Sequence, residues 1–198
     1  MLVWAKTLLS VYRYLDRVAD AIDKIVFSRA INSFYTSGSN LAFNSVESVT
    51  DDILNLTERK VNLINLKLII KECLENTKPD LTPYLIANLI EGKTCFECVS
   101  IFNVSLRTYF RKINLALESF IKTLIRKGCD QTFFNTMLKD ETWIIEVRNT
   151  FAKNINSAIN ENFKIESKVS LKQKKGLKNV SKVICGSVNP QTQNSQSF

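Results

Sequence analysis

Residues 93–128 read KTCFECVSIFNVSLRTYFRKINLALESFIKTLIRKG, and this stretch decides the fold. Thr94 and Glu97 have the T-x-x-E spacing of a capping box, in which two side chains satisfy free backbone donors at the start of a helix. That helix can run only to about Phe102, because Asn103 tolerates the left-handed backbone that a sharp turn needs. Val104 is apolar and suited to plug the gap between two helices. Ser105 is a good N-cap for a second helix, which reaches Arg126 or Lys127 and closes on Gly128. The expected layout is a short helix, a tight turn and a long basic helix.

Outward from this stretch the chain also reads as helical. Only five glycines and three prolines occur in 198 residues, which disfavours a turn-rich β fold. Leu15, Val18, Ile22, Ile25 and Arg29 recur at spacings of three and four, so one long helix is expected over about 2–35. The run TSGSN at 36–40 should end it. A short helix fits about 45–55 and a second about 57–76, with Val61, Ile64, Leu68 and Cys73 or Leu74 along one side. Lys78-Pro79 closes that segment, since proline disfavours helical geometry in the residue before it. A further helix fits 81–91, with Gly92 at its C-terminus.

Two more helices fit about 131–139 and 141–160, with Asp130 and Asp140 placed as caps. Phe133, Phe134, Met137, Leu138, Trp143, Ile144, Val147 and Phe151 are their expected core residues. From 164 onward lysines and then Gln, Asn and Ser dominate, too few apolar groups to offset the entropy of ordering. The expected fold class is therefore all-α: a helical bundle containing a helix-turn-helix, with a disordered basic C-terminal tail. Its parts are 1–76, a helical region for packing or dimerisation; 77–163, the helix-turn-helix with C-terminal helices; and the tail, 164–198.

Charge is concentrated. Residues 93–128 hold seven Lys/Arg against two Asp/Glu, a net of +5, whereas residues 1–92 hold ten against eleven, a net of −1. Residues 164–198 hold seven against one, a net of +6. A local basic patch on a near-neutral body is the footprint of a polyanion binder, although a basic face can also be merely solvated. The lysine tail has the same two readings: added affinity for phosphates, or solubility alone.

Enzyme chemistry has little to work with. The chain contains no histidine and no glycine-rich phosphate loop. Cys95 and Cys98 form a C-x-x-C, but a structural zinc site needs four ligands, and the other cysteines are single and far apart. On a helix Cys98 is expected in the core. Paired carboxylates such as Asp51-Asp52 and Asp140-Glu141 suit helix starts, where they meet the positive end of the macrodipole. No catalytic residue, metal or cofactor is expected. No apolar run is long enough to cross a bilayer, and the odd, scattered cysteines follow no recognisable leader; the expectation is a reduced, cytoplasmic protein.

A helix entering the DNA major groove must be held by a neighbour. Cys98, Val99, Phe102, Val104, Tyr109 and Ile113 are the residues expected to hold these two helices together. Arg107, Thr108, Arg111 and Lys112 then project from the other side of the second helix, and Lys93 can reach a flanking phosphate. Arginine pairs with guanine or phosphate, while lysine and hydroxyls more often hold the backbone.

The run LIEGKTCFECVSIFNVSLRTYFRKINLAL resembles the helix-turn-helix of sigma-70 region 4 and related sigma-like regulators. Gly92, Thr94, Glu97, Phe102, Val104, Ser105, Thr108, Tyr109 and Arg111 sit at matching places, and the likeness covers about residues 81–127. The resemblance implies a sigma-like transcriptional regulator of small firmicute type, and with the placement above the residues expected to meet double-stranded DNA are Lys93, Ser105, Arg107, Thr108, Arg111 and Lys112. It also implies RNA polymerase as a partner, and regulators of this kind often pair as homodimers on paired half-sites. The rival expectation is a helical protein-interaction module whose basic helix docks on an acidic surface of polymerase or another regulator.

Overall fold

The first helix, α1 (Leu2–Val11), is apolar on nearly every side, and a helix of that kind belongs at the centre of a bundle. The computed structural model describes residues 1–36 and 46–157. In it Trp4, Ala5, Leu8, Leu9 and Val11 are all buried, and Thr7 satisfies its hydroxyl on the Val3 carbonyl at 2.8 Å. The indole of Trp4 packs against Phe134, with ring centroids 5.6 Å apart.

The single helix expected over 2–35 is interrupted. A 3-10 turn at Tyr12–Tyr14 separates α1 from α2 (Leu15–Thr36). The break lies where the pattern changes from apolar all round to one-sided, and Arg13 there donates to the Glu91 carbonyl at 3.3 Å. On α2, Leu15, Ala19 and Ile22 are buried, while Ile25 is exposed. Most of the loop expected at 36–40, and the tail from 164, lie outside the described residues.

The two helices expected over 45–76 are one, α3 (Val46–Glu75). Thr57, near the expected break, bonds its hydroxyl to the Ile53 carbonyl at 2.8 Å and leaves the helix continuous. The apolar residues expected along one side divide between two faces. Leu63, Leu66, Ile70, Cys73 and Leu74 are buried, whereas Val61, Ile64 and Leu68 are exposed. The helix is apolar on both faces, so two interleaved three-and-four spacings compete, and only packing selects one. Helices α2 and α3 lie antiparallel, with Asp23 2.6 Å from Lys60, Arg29 2.6 Å from Asp52, and Asp16 paired with Lys67. Exposed pairs of this sort contribute little energy but record the register.

Helix α4 (Thr82–Leu85) has Pro83 in its first turn and widens into a π turn over Ile86–Ile90, where the Glu91 N–H reaches the Ile86 carbonyl at 2.8 Å. Gly92 follows with φ +73°, as a left-handed closing residue should. Then come α5 (Cys95–Phe102), α6 (Leu106–Arg126), α7 (Gln131–Met137) and α8, which opens at 142 and is described to 157. Residues Met1–Phe151 form one unit, in which α1, α3, α6 and α7 share a core. Among the described residues there is no strand, and no helix is long and apolar enough to cross a membrane.

Asp130 caps α7, accepting from the Phe133 N–H at 2.8 Å. Asp140 does not cap α8. Its carboxylate pairs with Lys139, at 3.9 Å, and Glu141 heads the helix instead. The buried Glu141 carboxylate takes Arg59 Nε at 2.9 Å, a second Arg59 nitrogen at 3.2 Å, and Trp143 Nε1 at 2.9 Å. Phe134, Leu138 and Ile144 are buried as expected, while Phe133 remains partly exposed.

Candidate nucleic-acid interface

Each joint of the α5–α6 pair is made by a residue suited to it. Thr94 Oγ1 accepts from the Glu97 N–H at 3.3 Å, and the Glu97 carboxylate returns to the Thr94 N–H at 2.7 Å. The Thr94 N–H and the Thr94 hydroxyl, which donates at 2.8 Å, hold the Glu97 carboxyl below the usual carboxylate range, and the Phe133 N–H does the same for Asp130. A group with a depressed folded-state pKa contributes stability at higher pH and loses it as pH falls through that value. Melting temperature should therefore fall below about pH 4, where free carboxylates protonate. Thr94→Ala should cost about 1 kcal/mol and flatten the Glu97 share of that fall, as thermal melts across pH would record.

Asn103 sits at φ +48° and ψ +50°, the only non-glycine residue with positive φ among those described. Asparagine tolerates this basin and a β-branched residue does not. Asn103→Val is expected to cost about 1–2 kcal/mol in a urea melt, and Asn103→Gly to be tolerated. Ser105 then caps α6, accepting from the Thr108 N–H at 3.2 Å, and its hydroxyl lies 2.9 Å from the Thr108 hydroxyl.

The face of α6 that meets the body comprises Tyr109, Ile113, Ala116, Leu117, Phe120, Thr123 and Leu124. Cys98 of α5 is buried among them, and Val99, Phe102 and Val104 pack against the same core. Burial pushes the Cys73 thiol up to about 11 and raises Cys129, so neither is a ready thiolate. Among the described residues no group of His, Cys, Asp or Glu could hold a metal ion.

The periodicity that buries Tyr109 and Ile113 turns Arg107 and Arg111 outward, one turn apart and exposed. The seven basic residues of 93–128 divide clearly. Lys93 is 2.6 Å from Glu91, Lys122 is 2.7 Å from Glu118, and Lys127 pairs with Glu72. Lys112 lies at the flank of α6, its ammonium 3.1 Å from the Tyr84 hydroxyl and 5.0 Å from the centre of that ring. Arg107, Arg111 and Arg126 remain, with no ion pair among the described residues. No protein-family model, curated protein or solved structure matches the chain.

The six residues expected to face DNA are thus divided. Arg107 and Arg111 share the outward face. Ser105 and Thr108 are engaged in the cap, Lys93 is held by Glu91, and Lys112 rests on α4. Tyr84 has no counterpart in the sequence reading. It stacks on Phe102 at 4.2 Å and supports Lys112, yet lies 28 residues before it in the chain. Large apolar groups also reach solvent here: Phe96 is 72% exposed, and Ile101, Leu106 and Phe110 are exposed as well.

Proposed function

We propose that this chain is a sequence-specific, double-stranded-DNA-binding transcriptional regulator that presents the first two turns of α6 to the major groove. The observation that carries the reading is the pair Arg107 and Arg111. They stand on the solvent face of a helix braced by a shorter one, without ion pairs among the described residues, in a segment of net charge +5. An unpaired guanidinium loses no internal partner on meeting guanine or phosphate, and its planar donors suit both. Thr108 and Ser105 hold the start of α6 and offer hydroxyls beside it. Lys93 and Lys112 flank the face as phosphate contacts once they leave Glu91 and Tyr84. The resemblance to sigma-70 region 4 supports the same assignment.

A second reading is favoured by Phe96, Ile101, Leu106 and Phe110. Exposed apolar groups on this helix pair suit docking on a protein such as RNA polymerase, and a clean DNA-reading face does not require them. Binding to heparin and to random duplex DNA at two salt concentrations separates the readings. The DNA reading predicts binding to both that weakens steeply as salt rises, because phosphate contacts release counterions. The docking reading predicts little affinity for either at any salt.

A further inference from the structure

The outward face of α3 carries a row of large apolar side chains that the body leaves uncovered. Leu54 is 61% exposed, Val61 48%, Ile64 42% and Leu68 57%. Leu54, Val61 and Leu68 recur every seven residues, with Thr57 and Ile64 at the intervening three-residue steps. Thr57 already satisfies its hydroxyl on the Ile53 carbonyl, so its methyl group can face the row. This is the a and d pattern of a two-stranded coiled coil, and it lies opposite the face that buries Leu63, Leu66 and Ile70. The row extends about 21 Å from Leu54 to Leu68, at 1.5 Å per residue. Phe27 of α2, 68% exposed, lies near the Leu54 end, as the Asp23–Lys60 and Arg29–Asp52 pairs place it. Lys71 occupies the next d position and ends the row.

We infer that this face is the contact between two copies of the chain, packed through α3 as a parallel two-stranded coiled coil. The flanking charges choose both the partner and its direction. Lys60 and Lys67, held within the chain by Asp23 and Asp16, lie on one flank of the row, and Glu58 and Glu72, the latter held by Lys127, lie on the other. In a parallel pair each flank meets the opposite flank of the partner one heptad on, so Lys67 faces the partner's Glu72. An antiparallel pair would bring like flanks together, setting lysine against lysine and glutamate against glutamate. A second copy thus supplies an apolar row of identical spacing, and a parallel one extends the existing pairs into an alternating series of Asp16, Lys67, Glu72 and Lys127 without setting like charges together. Two heptads make a short seam, so association in about the micromolar range is expected. The inference does not depend on the DNA reading.

Sedimentation equilibrium of the full chain is expected to show a monomer–dimer equilibrium. Val61→Glu with Leu68→Glu should weaken it at least about 100-fold, since carboxylates would be buried in the seam. Helicity by circular dichroism should be unchanged, because both residues face solvent in the monomer. Leu68→Cys alone, under mild oxidation, should give a disulfide-linked dimer above the wild-type background. That second variant tests the contact even if the double glutamate variant fails to fold. A strictly monomeric wild-type chain overturns the inference. So does a dimer untouched by the glutamates, or one in which Leu68→Cys links only to a Leu54→Cys copy, as an antiparallel pair would.

Discussion

Replacing Arg107 and Arg111 together by alanine is expected to weaken binding to the cognate duplex by about 2–6 kcal/mol, from about 1–3 kcal/mol for each arginine that reads a base. The two lie one turn apart on one face and on a duplex would engage neighbouring parts of the groove, so the losses need not add. Among the described residues neither side chain has an ion pair to lose, and both are exposed, outside the buried face of α6. The variant should keep its helicity and melting temperature while it loses affinity. The salt dependence tells the two kinds of contact apart. If an arginine holds a phosphate, its removal lowers the slope of log K against log salt by about one and weakens all sequences alike. If it reads guanine, the slope changes little and discrimination between sequences collapses. Fluorescence polarisation with cognate and scrambled duplexes at several salt concentrations measures both.

Phe120→Ala is expected to destabilise the fold by about 3–5 kcal/mol, a large part of a domain's usual margin. Phe120 is fully buried, midway along the face of α6 that α1, α3 and α4 surround. Truncation there loses the transfer energy of the ring and leaves a cavity in a site walled by rigid helices, which can close only in part. Urea unfolding should show a lower midpoint with an unchanged slope. If α6 were a loosely attached basic arm, the same substitution would cost far less. The result therefore also tests whether the helix bearing Arg107 and Arg111 is held firmly enough to present them.

The α5–α6 pair was the most legible part of the fold because its chemistry is local. A capping box, an asparagine in the left-handed basin, a serine cap and a closing glycine each act within three or four residues. The outward placement of Arg107 and Arg111 follows from the same short periodicity. The inward face of α3 was not legible, because apolar residues line both of its faces and the choice depends on what packs nearby. The break at Tyr12–Tyr14 carries no glycine or proline to announce it. Glu141 displaces Asp140 at the head of α8 because Arg59, 82 residues earlier, waits beside it. The support of Lys112 by Tyr84 is likewise a contact across the fold. Long-range pairs like these leave no spacing to read.

Selection of bound fragments from a random-sequence duplex pool by the full chain asks whether α6 reads duplex DNA. A DNA-reading α6 should enrich a defined motif in the wild-type chain and lose that enrichment with Arg107→Ala plus Arg111→Ala in a protein of unchanged helicity. A pool that stays random after selection, or a motif enriched equally by the variant, would contradict it.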